Sequence, residues 1–488
     1  MNKYKLEITV FLSGALTMVL ELIAARILSP YVGSSNLIWT TIIGIMLISM
    51  SIGYWYGGKI ADKNKENDIK ILSNYLLIAA IATSIIPILE VLFIGILSML
   101  INNLIIVAII CATVTFGIPS FLLATVSPIA VKIKNSSMDH IGATSGKISS
   151  LSTIGSIFGT FFAGFVLIPN IGVRNIILGS SILLWILAFY LYDRKDKKYY
   201  ALTFFKLIII IVLNFVGVLL FNFEHPDLLR DVDSEYSRIW VRQIDTGENI
   251  YKTLQVDTGL ESYINQETGE MGATYLYYYD LFEYYNKEAN DALMIGGAAY
   301  TYPMHYLKKY ENKTIDVVEI DEKMTQIAEE EFGLDKNNPN LGLITQDGRS
   351  YLNYNEKKYD TVFIDAFKGL NAPFELTTYE AMQKVYNSLN DNGTVITNII
   401  SAVEGDDADF IKYEYSTYKA IFDDVKVFQV NPNNSDDEEQ NLILVGIKRN
   451  GNINTDKEKE YGELLNNEIK DFTSDKPVIT DDYAPIGD

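Results

Sequence analysis

Three acidic side chains stand at the ends of successive short apolar runs: Glu319 in Asp316-Val-Val-Glu-Ile-Asp321, Asp347 in Leu343-Ile-Thr-Gln-Asp-Gly348, and Asp365 in Tyr359-Asp-Thr-Val-Phe-Ile-Asp365. A fourth run, Ala292-Leu-Met-Ile-Gly-Gly-Ala298, precedes them and opens into a glycine turn. Glycine lets a ligand approach the backbone closely. One carboxylate suits a ribose diol, a second an adenine amino group, and the third is left for chemistry, so the set reads as a nucleoside site.

Such residues converge only if their runs are neighbouring strands. Apolar runs alternating with helical patterns predict a parallel α/β sheet over 291–488, and parallel sheets bind ligands at the carboxyl ends of their strands. Before it, 223–290 predicts a small β-hairpin domain, with Thr246-Gly247 and Thr258-Gly259 as turns. An aromatic helix follows at Ala273–Tyr285, in which most tyrosines are expected to pack and one or two to line the site.

The first 222 residues live in another solvent. They carry 16 Lys and Arg against 9 Asp and Glu, whereas the remainder carries 24 against 52. Long apolar stretches at about 7–28, 37–58, 71–101, 104–131, 148–168, 174–192 and 202–222 each reach the roughly 20 residues that a membrane crossing needs. Seven spans are expected, the first a retained anchor because no small-residue cleavage site follows it. Pro87 and Glu90 leave open a third span within 71–131.

Lysines and arginines fall in alternate connections (Lys3, Lys5; Lys59, Lys63, Lys65, Lys70; Lys132, Lys134, Lys147; Arg194, Lys195, Lys197, Lys198), which predicts cytoplasmic loops there and an extracytoplasmic second half. Glu21 and Arg26, in or near the first span, read either as an ion pair or, for Glu21, as a cation-binding group on a path to the site. The net −28 of the second half favours cationic substrates and excludes nucleic acid as a partner. Asp481 and Asp482 are candidates for its acceptor pocket, whereas Asp436-Asp-Glu-Glu439 reads as an exposed loop. The single cysteine, Cys111, allows no intrachain disulfide and no cysteine-type metal site, and no metal is expected.

The order of these features resembles the spermidine synthase, or polyamine aminopropyltransferase, family: a β-hairpin lead, Tyr278-x-Asp280, Gly296-Gly297, Val318-Glu-Ile-Asp321, Asp347-Gly348 and Ile364-Asp365. Glu21-Leu-Ile-Ala-Ala-Arg26, Leu28-Ser-Pro-Tyr-Val-Gly33 and Thr480-Asp-Asp-Tyr-Ala-Pro485 are similar to its integral-membrane, fused branch. The resemblance implies an α-helical transmembrane bundle, then the β-hairpin domain, then a Rossmann-like, methyltransferase-like α/β domain. It implies an aminopropyltransferase with decarboxylated S-adenosylmethionine (or S-adenosylmethionine) as co-substrate, no permanently bound cofactor, a polyamine or agmatine-like acceptor, and a homodimer. Glu319 then matches the ribose-binding glutamate, Asp347 the adenine-binding aspartate, and Asp365 the base that deprotonates the attacking amine. Gly296, Gly297, Ala298, Ile320, Gly348 and Ala366 complete the donor side. Glu261 falls near a donor-touching glutamine, and Tyr278 and Asp280 near the acceptor contacts.

Two departures bear on substrate choice. Where the soluble enzymes have Gly-Gly-Gly-Asp-Gly-Gly, this chain has Gly296-Gly-Ala-Ala-Tyr-Thr301, so Ala299 replaces the acid that meets the donor's ammonium. Where they have Asp-x-x-Asp, it has Asp365-Ala-Phe-Lys368. An S-adenosylmethionine-dependent methyltransferase or lyase, and a non-catalytic nucleoside- or polyamine-binding transporter or sensor, are the alternatives.

Overall fold

The computed structural model describes residues 4–63, 68–101, 103–134, 141–191, 197–366, 373–449 and 452–485, with backbone alone at 197 and 406. Lys3, Lys65, Arg194, Lys195 and Lys368 lie outside the described residues. The chain forms two compact units, Met1–Trp240 and Val241–Asp488.

In the first unit, seven helices among the described residues are long and apolar enough to cross a membrane: α1 (Lys5–Val32), α2 (Asn36–Lys63), α3 (Asp68–Leu100), α4 (Leu104–Lys134), α5 (Ile141–Ile171), α6 (Val173–Leu191) and α7 (Lys198–Glu224). They fit a multi-pass membrane protein. The stretch 71–131 makes two helices, not three: Pro87 and Glu90 fall inside α3, which widens to π-winding over Glu90–Gly95 and continues. Helix α1 is central, with 72% of its apolar window buried against 22% for α2, α5 and α7. Glycines permit the closest approach, since a Cβ at Gly155 of α5 would stand 2.0 Å from the Phe11 carbonyl oxygen of α1.

After α7 come β1 (Leu228–Asp233) and β2 (Arg238–Asp245), and the boundary between the units falls inside β2. Arg238, 2% exposed, donates to Glu90 Oε1 at 2.9 Å and to Asp231 Oδ1 at 2.9 Å. Arg174 pairs with Asp231 at 2.8 Å. Burial works against the charge on Asp231, but the two guanidiniums prevail and hold its carboxyl down to about 2.

After the end of β2, the second unit continues with β3 (Ile250–Val256) and β4 (Gly259–Asn265), an antiparallel hairpin turned at Asp257-Thr258. The expected aromatic helix is instead 3₁₀-wound over Thr274–Leu281, with one α-turn at Phe282–Tyr285. Its tyrosines pack on a buried aromatic layer containing Tyr302, Tyr306 and Phe363, and that tertiary packing overrides the helical spacing.

The main sheet holds β5 (Asp291–Ile295), β6 (Thr314–Glu319), β7 (Leu341–Thr345), β8 (Tyr359–Ile364), β9 (Leu389–Ser401), β10 (Asp424–Gln429) and β11 (Gln440–Ile447), in the order β10-β11-β9-β8-β5-β6-β7. Strands β5 to β9 are parallel where they pair, whereas β11 runs antiparallel to both β9 and β10, so the sheet is mixed. Helices cover both faces, with Ala292 and Met294 of β5 in one core and Leu293 and Ile295 in the other. After β5 the chain winds outward through β6 and β7, then returns to β8 on the other flank of β5. The crevice beyond β5 and β8 is therefore the topological switch point where such sheets take ligands.

Candidate functional site

The switch point is built on Gly296 and Asp365. The Asp365 N–H donates to the Ile295 carbonyl, and the Gly296 N–H to the Val318 carbonyl. Gly296 sits at φ +92°, and a Cβ there would meet the Asp365 carbonyl oxygen at 2.1 Å, so only glycine fits. Ala298 (φ 44°) and Tyr300 (φ 56°) are also left-handed, which curls the turn tightly before the helix Thr301–Lys309.

Glu319, at the end of β6 and 8% exposed, holds that curl. Its Oε2 accepts from the Gly297 N–H at 2.8 Å and the Ala298 N–H at 3.2 Å, and its Oε1 from the Asp321 N–H at 3.0 Å. Burial raises its carboxyl pKa against the pull of these three donors. Asp347 is exposed at the end of β7, where its Oδ1 accepts from the Ser350 N–H at 2.8 Å as an N-cap. Behind it, a Cβ on Gly348 would press on Ile295 at 2.6 Å. Ile320 and Ala366 follow their strand ends, with Ile320 38% exposed. The residues expected on the donor side thus sit at the carboxyl ends of four neighbouring strands.

Asp365 carries a donor on each oxygen. The Tyr275 hydroxyl donates to Oδ2 at 3.0 Å, and Asn398 Nδ2 to Oδ1 at 3.2 Å. The Tyr279 hydroxyl faces the same carboxylate without a hydrogen bond of good geometry. Desolvation pushes the Asp365 carboxyl up to about 6, with the hydroxyl and amide donors opposing it. Burial and the neighbouring Asp365 charge push the Tyr275 hydroxyl far above its ordinary value, so it remains a donor.

Asp365 also lines a cavity of about 640 Å³, together with Glu261 and Tyr263 of β4, Tyr275, Asn398 and Glu439. Carboxylates and carboxamides in such a cavity suit a ligand rich in N–H donors. Glu261 is on this wall, and Ser262 beside it accepts from the Ala299 N–H at 3.4 Å. Ala299 is fully buried and supplies no charge.

The other acceptor candidates sit elsewhere. Tyr278 is buried among the aromatics and donates to the Gln429 carbonyl at 3.2 Å. Asp280, 3% exposed, takes Lys309 at 2.9 Å and His305 at 3.1 Å, which hold it below the usual carboxylate range despite burial. Asp481 accepts from Arg349 at 2.7 Å and Thr378 at 2.6 Å, and Asp482 is exposed beside it. None of these four lines the cavity. Glu21 belongs to α1 in the helical unit, where Arg26 donates to the Glu235 carbonyl at 2.6 Å. Sequence reasoning did not single out Tyr275 or Asn398. For Asn398 a signal exists, a carboxamide inside the mainly apolar stretch Val395-Ile-Thr-Asn-Ile-Ile400.

Strand order and crossover define the second unit as a methyltransferase-like α/β domain. Residues 281–431 match the family described as the spermine/spermidine synthase domain. A probable polyamine aminopropyl transferase of Bifidobacterium longum (strain NCC 2705) is 25% identical over 276 residues, 49% of this chain and 60% of that one. The polyamine aminopropyltransferase of Vibrio vulnificus (strain CMCP6) is 28% identical over 149 residues, 30% of this chain and 48% of that one. This chain therefore spans about half to three-fifths of these two relatives. Polyamine aminopropyltransferase 2 of Aquifex aeolicus (strain VF5) is 22% identical over 409 residues, 80% of this chain and 78% of its own, so the likeness there extends into the helical unit. Among solved structures, a probable spermidine synthase from Corynebacterium glutamicum ATCC 13032 superposes with a TM-score of 0.45 at 18% identity, over 54% of this chain and 98% of that one.

Proposed function

We propose that this chain is an integral-membrane aminopropyltransferase. It moves an aminopropyl group from decarboxylated S-adenosylmethionine to a polyamine or agmatine-like amine and releases methylthioadenosine. The observation that carries the reading is the position of Asp365, which belongs at once to the glycine-turn crevice and to the carboxylate-lined cavity.

The nucleoside lies along the strand ends, its ribose at Glu319 and its adenine toward Asp347. The acceptor amine occupies the cavity with its nitrogen at Asp365. That nitrogen gives up a proton to the carboxylate and its lone pair attacks the aminopropyl carbon beside sulfur. A C–N bond forms, the C–S bond breaks, and its electrons neutralise the sulfonium to a thioether. The donor is already activated, so alignment and one proton acceptor suffice. A carboxyl near pKa 6 is ionised at pH 7 yet retains basicity, as general-base work asks.

The seven apolar helices support a membrane anchor, and the lysine distribution supports an extracytoplasmic catalytic unit. A homodimer belongs to the same reading. Incubating the purified protein with labelled donor and a panel of amines tests it: methylthioadenosine release dependent on amine and on Asp365 is expected, and no release with any amine refutes it. Buried, uncharged Ala299 favours a second reading, methyl transfer from S-adenosylmethionine, which would release adenosylhomocysteine instead.

A further inference from the structure

Asp365 accepts one hydrogen bond on each oxygen, and the two donors differ in kind. The Tyr275 hydroxyl can turn only toward an acceptor, but the Asn398 side chain presents either NH₂ or C=O. An ionised carboxylate accepts and never donates, so the Asn398 amide has one productive sense, with Nδ2 toward Asp365 and Oδ1 away. That Oδ1 in turn accepts from Asn441 Nδ2 at 2.9 Å. Sheet register places the partners: Asn441 pairs with Ile400 across β11 and β9, two residues from Asn398 and on the same face. Asn441, Asn398 and Asp365 all line the cavity.

We propose that Asn441 is a positioning residue for Asp365, acting through Asn398: by donating to the Asn398 carbonyl it fixes the sense of that amide and keeps an N–H on the reacting carboxylate. The role deepens the aminopropyl-transfer reading and rests on it for its rate measurement alone. Other groups surround the carboxylate: Tyr275 and Tyr279 of the aromatic segment face it, and Glu261 and Tyr263 of β4 and Glu439 line the same cavity. They are common to the wild type and every variant below, so differences among the variants report on position 441.

Asn441→Leu removes the donor, so the Asn398 amide is no longer held in place and its N–H turns away from the carboxylate for part of the time. Asn441→Asp inverts the chain, because a carboxylate at 441 draws the Asn398 NH₂ to itself. Asn441→His restores a donor, since Nδ1–H lies as many bonds from the backbone as the asparagine amide.

The test uses the full-length protein in detergent. The Asp365 carboxyl is titrated by its infrared band, assigned by its loss in Asp365→Asn, and the pH profile of methylthioadenosine release is recorded alongside. Asn441→Leu is expected to move the midpoint up by about one pH unit and to lower kcat at pH 7 about twofold with donor KM within about twofold. Asn441→Asp moves the midpoint at least as far, and Asn441→His leaves it near that of the wild type. In an Asn398→Leu background, Asn441→Leu adds no further shift. Unmoved midpoints in Asn441→Leu with normal melting, or a full additional shift in the double variant, overturn the proposal. If the wild type turns over no amine, the aminopropyl-transfer reading fails, and the infrared titration still decides the role of Asn441.

Discussion

The Tyr275 hydroxyl donates to Asp365 Oδ2 at 3.0 Å across ninety residues of sequence, tying the segment after the hairpin to the carboxyl end of β8. This bond opposes the desolvation that raises the carboxyl. Tyr275→Phe removes it, so the Asp365 midpoint rises above about 6. Activity depends on the ionised form, so the acid limb of the pH profile shifts upward by about one unit, while turnover above pH 8 stays within about threefold. Turnover measured from pH 5 to 9 checks this, and an unmoved limb would show that the hydroxyl does not tune the carboxylate.

Asp365→Asn is expected to lower turnover by about 10³-fold or more while donor binding, followed by calorimetry, changes no more than a few fold. Equal loss of both would make Asp365 structural. The same variant has a stability signature of opposite sign. Because the folded-state carboxyl lies above its unfolded value, its contribution is fully present below about pH 4 and is lost as pH rises through about 6. At pH 8 the amide therefore melts higher than the acid, by on the order of 1–3 kcal/mol, and at pH 4 the difference vanishes. A lower melting temperature for the amide at pH 8 would mean that burial does not raise the Asp365 carboxyl.

Glu319→Gln exchanges an acceptor of three backbone N–H groups for a side chain that must turn an NH₂ toward some of them. The left-handed turn at Ala298 and Tyr300 loses its clamp. The expectation is a destabilisation of about 1–3 kcal/mol and donor affinity weakened more than tenfold. Thermal melting and donor titration on one preparation test both, and retained affinity in a destabilised protein would assign Glu319 to the fold alone.

Arg238→Met leaves Glu90 and Asp231 facing each other without the buried guanidinium between them. Breaking a buried pair from one side costs about 3–5 kcal/mol. The melting temperature should fall sharply, and Glu90→Gln combined with Arg238→Met should recover part of the loss. No fall in the single variant means that Arg174 alone neutralises the cluster.

Much of this was legible in the sequence because it rests on local chemistry. Seven apolar stretches specify seven helices, and strands that end in glycine or an acid announce a crevice. The tyrosine that reaches Asp365 was not legible: Tyr275, Tyr277, Tyr278 and Tyr279 are alike in type, and the segment winds as 3₁₀, so packing chooses Tyr275 for the carboxylate and sends Tyr278 into the aromatic layer. Asp280 and Asp481 looked available for a cationic ligand as bare acids, but Lys309 and Arg349, distant in sequence, take them. Asn398 and Asn441 depend on antiparallel register across a long connection, which no local pattern encodes.

The three N–H groups gathered by Glu319 have a consequence for how a nucleoside would arrive. The turn is held in its left-handed shape by a side chain of the chain itself, so an incoming adenosyl group would find the cradle set. The ordering penalty would then fall upon folding, not upon capture, and association would be limited by encounter instead of by rearrangement of the loop.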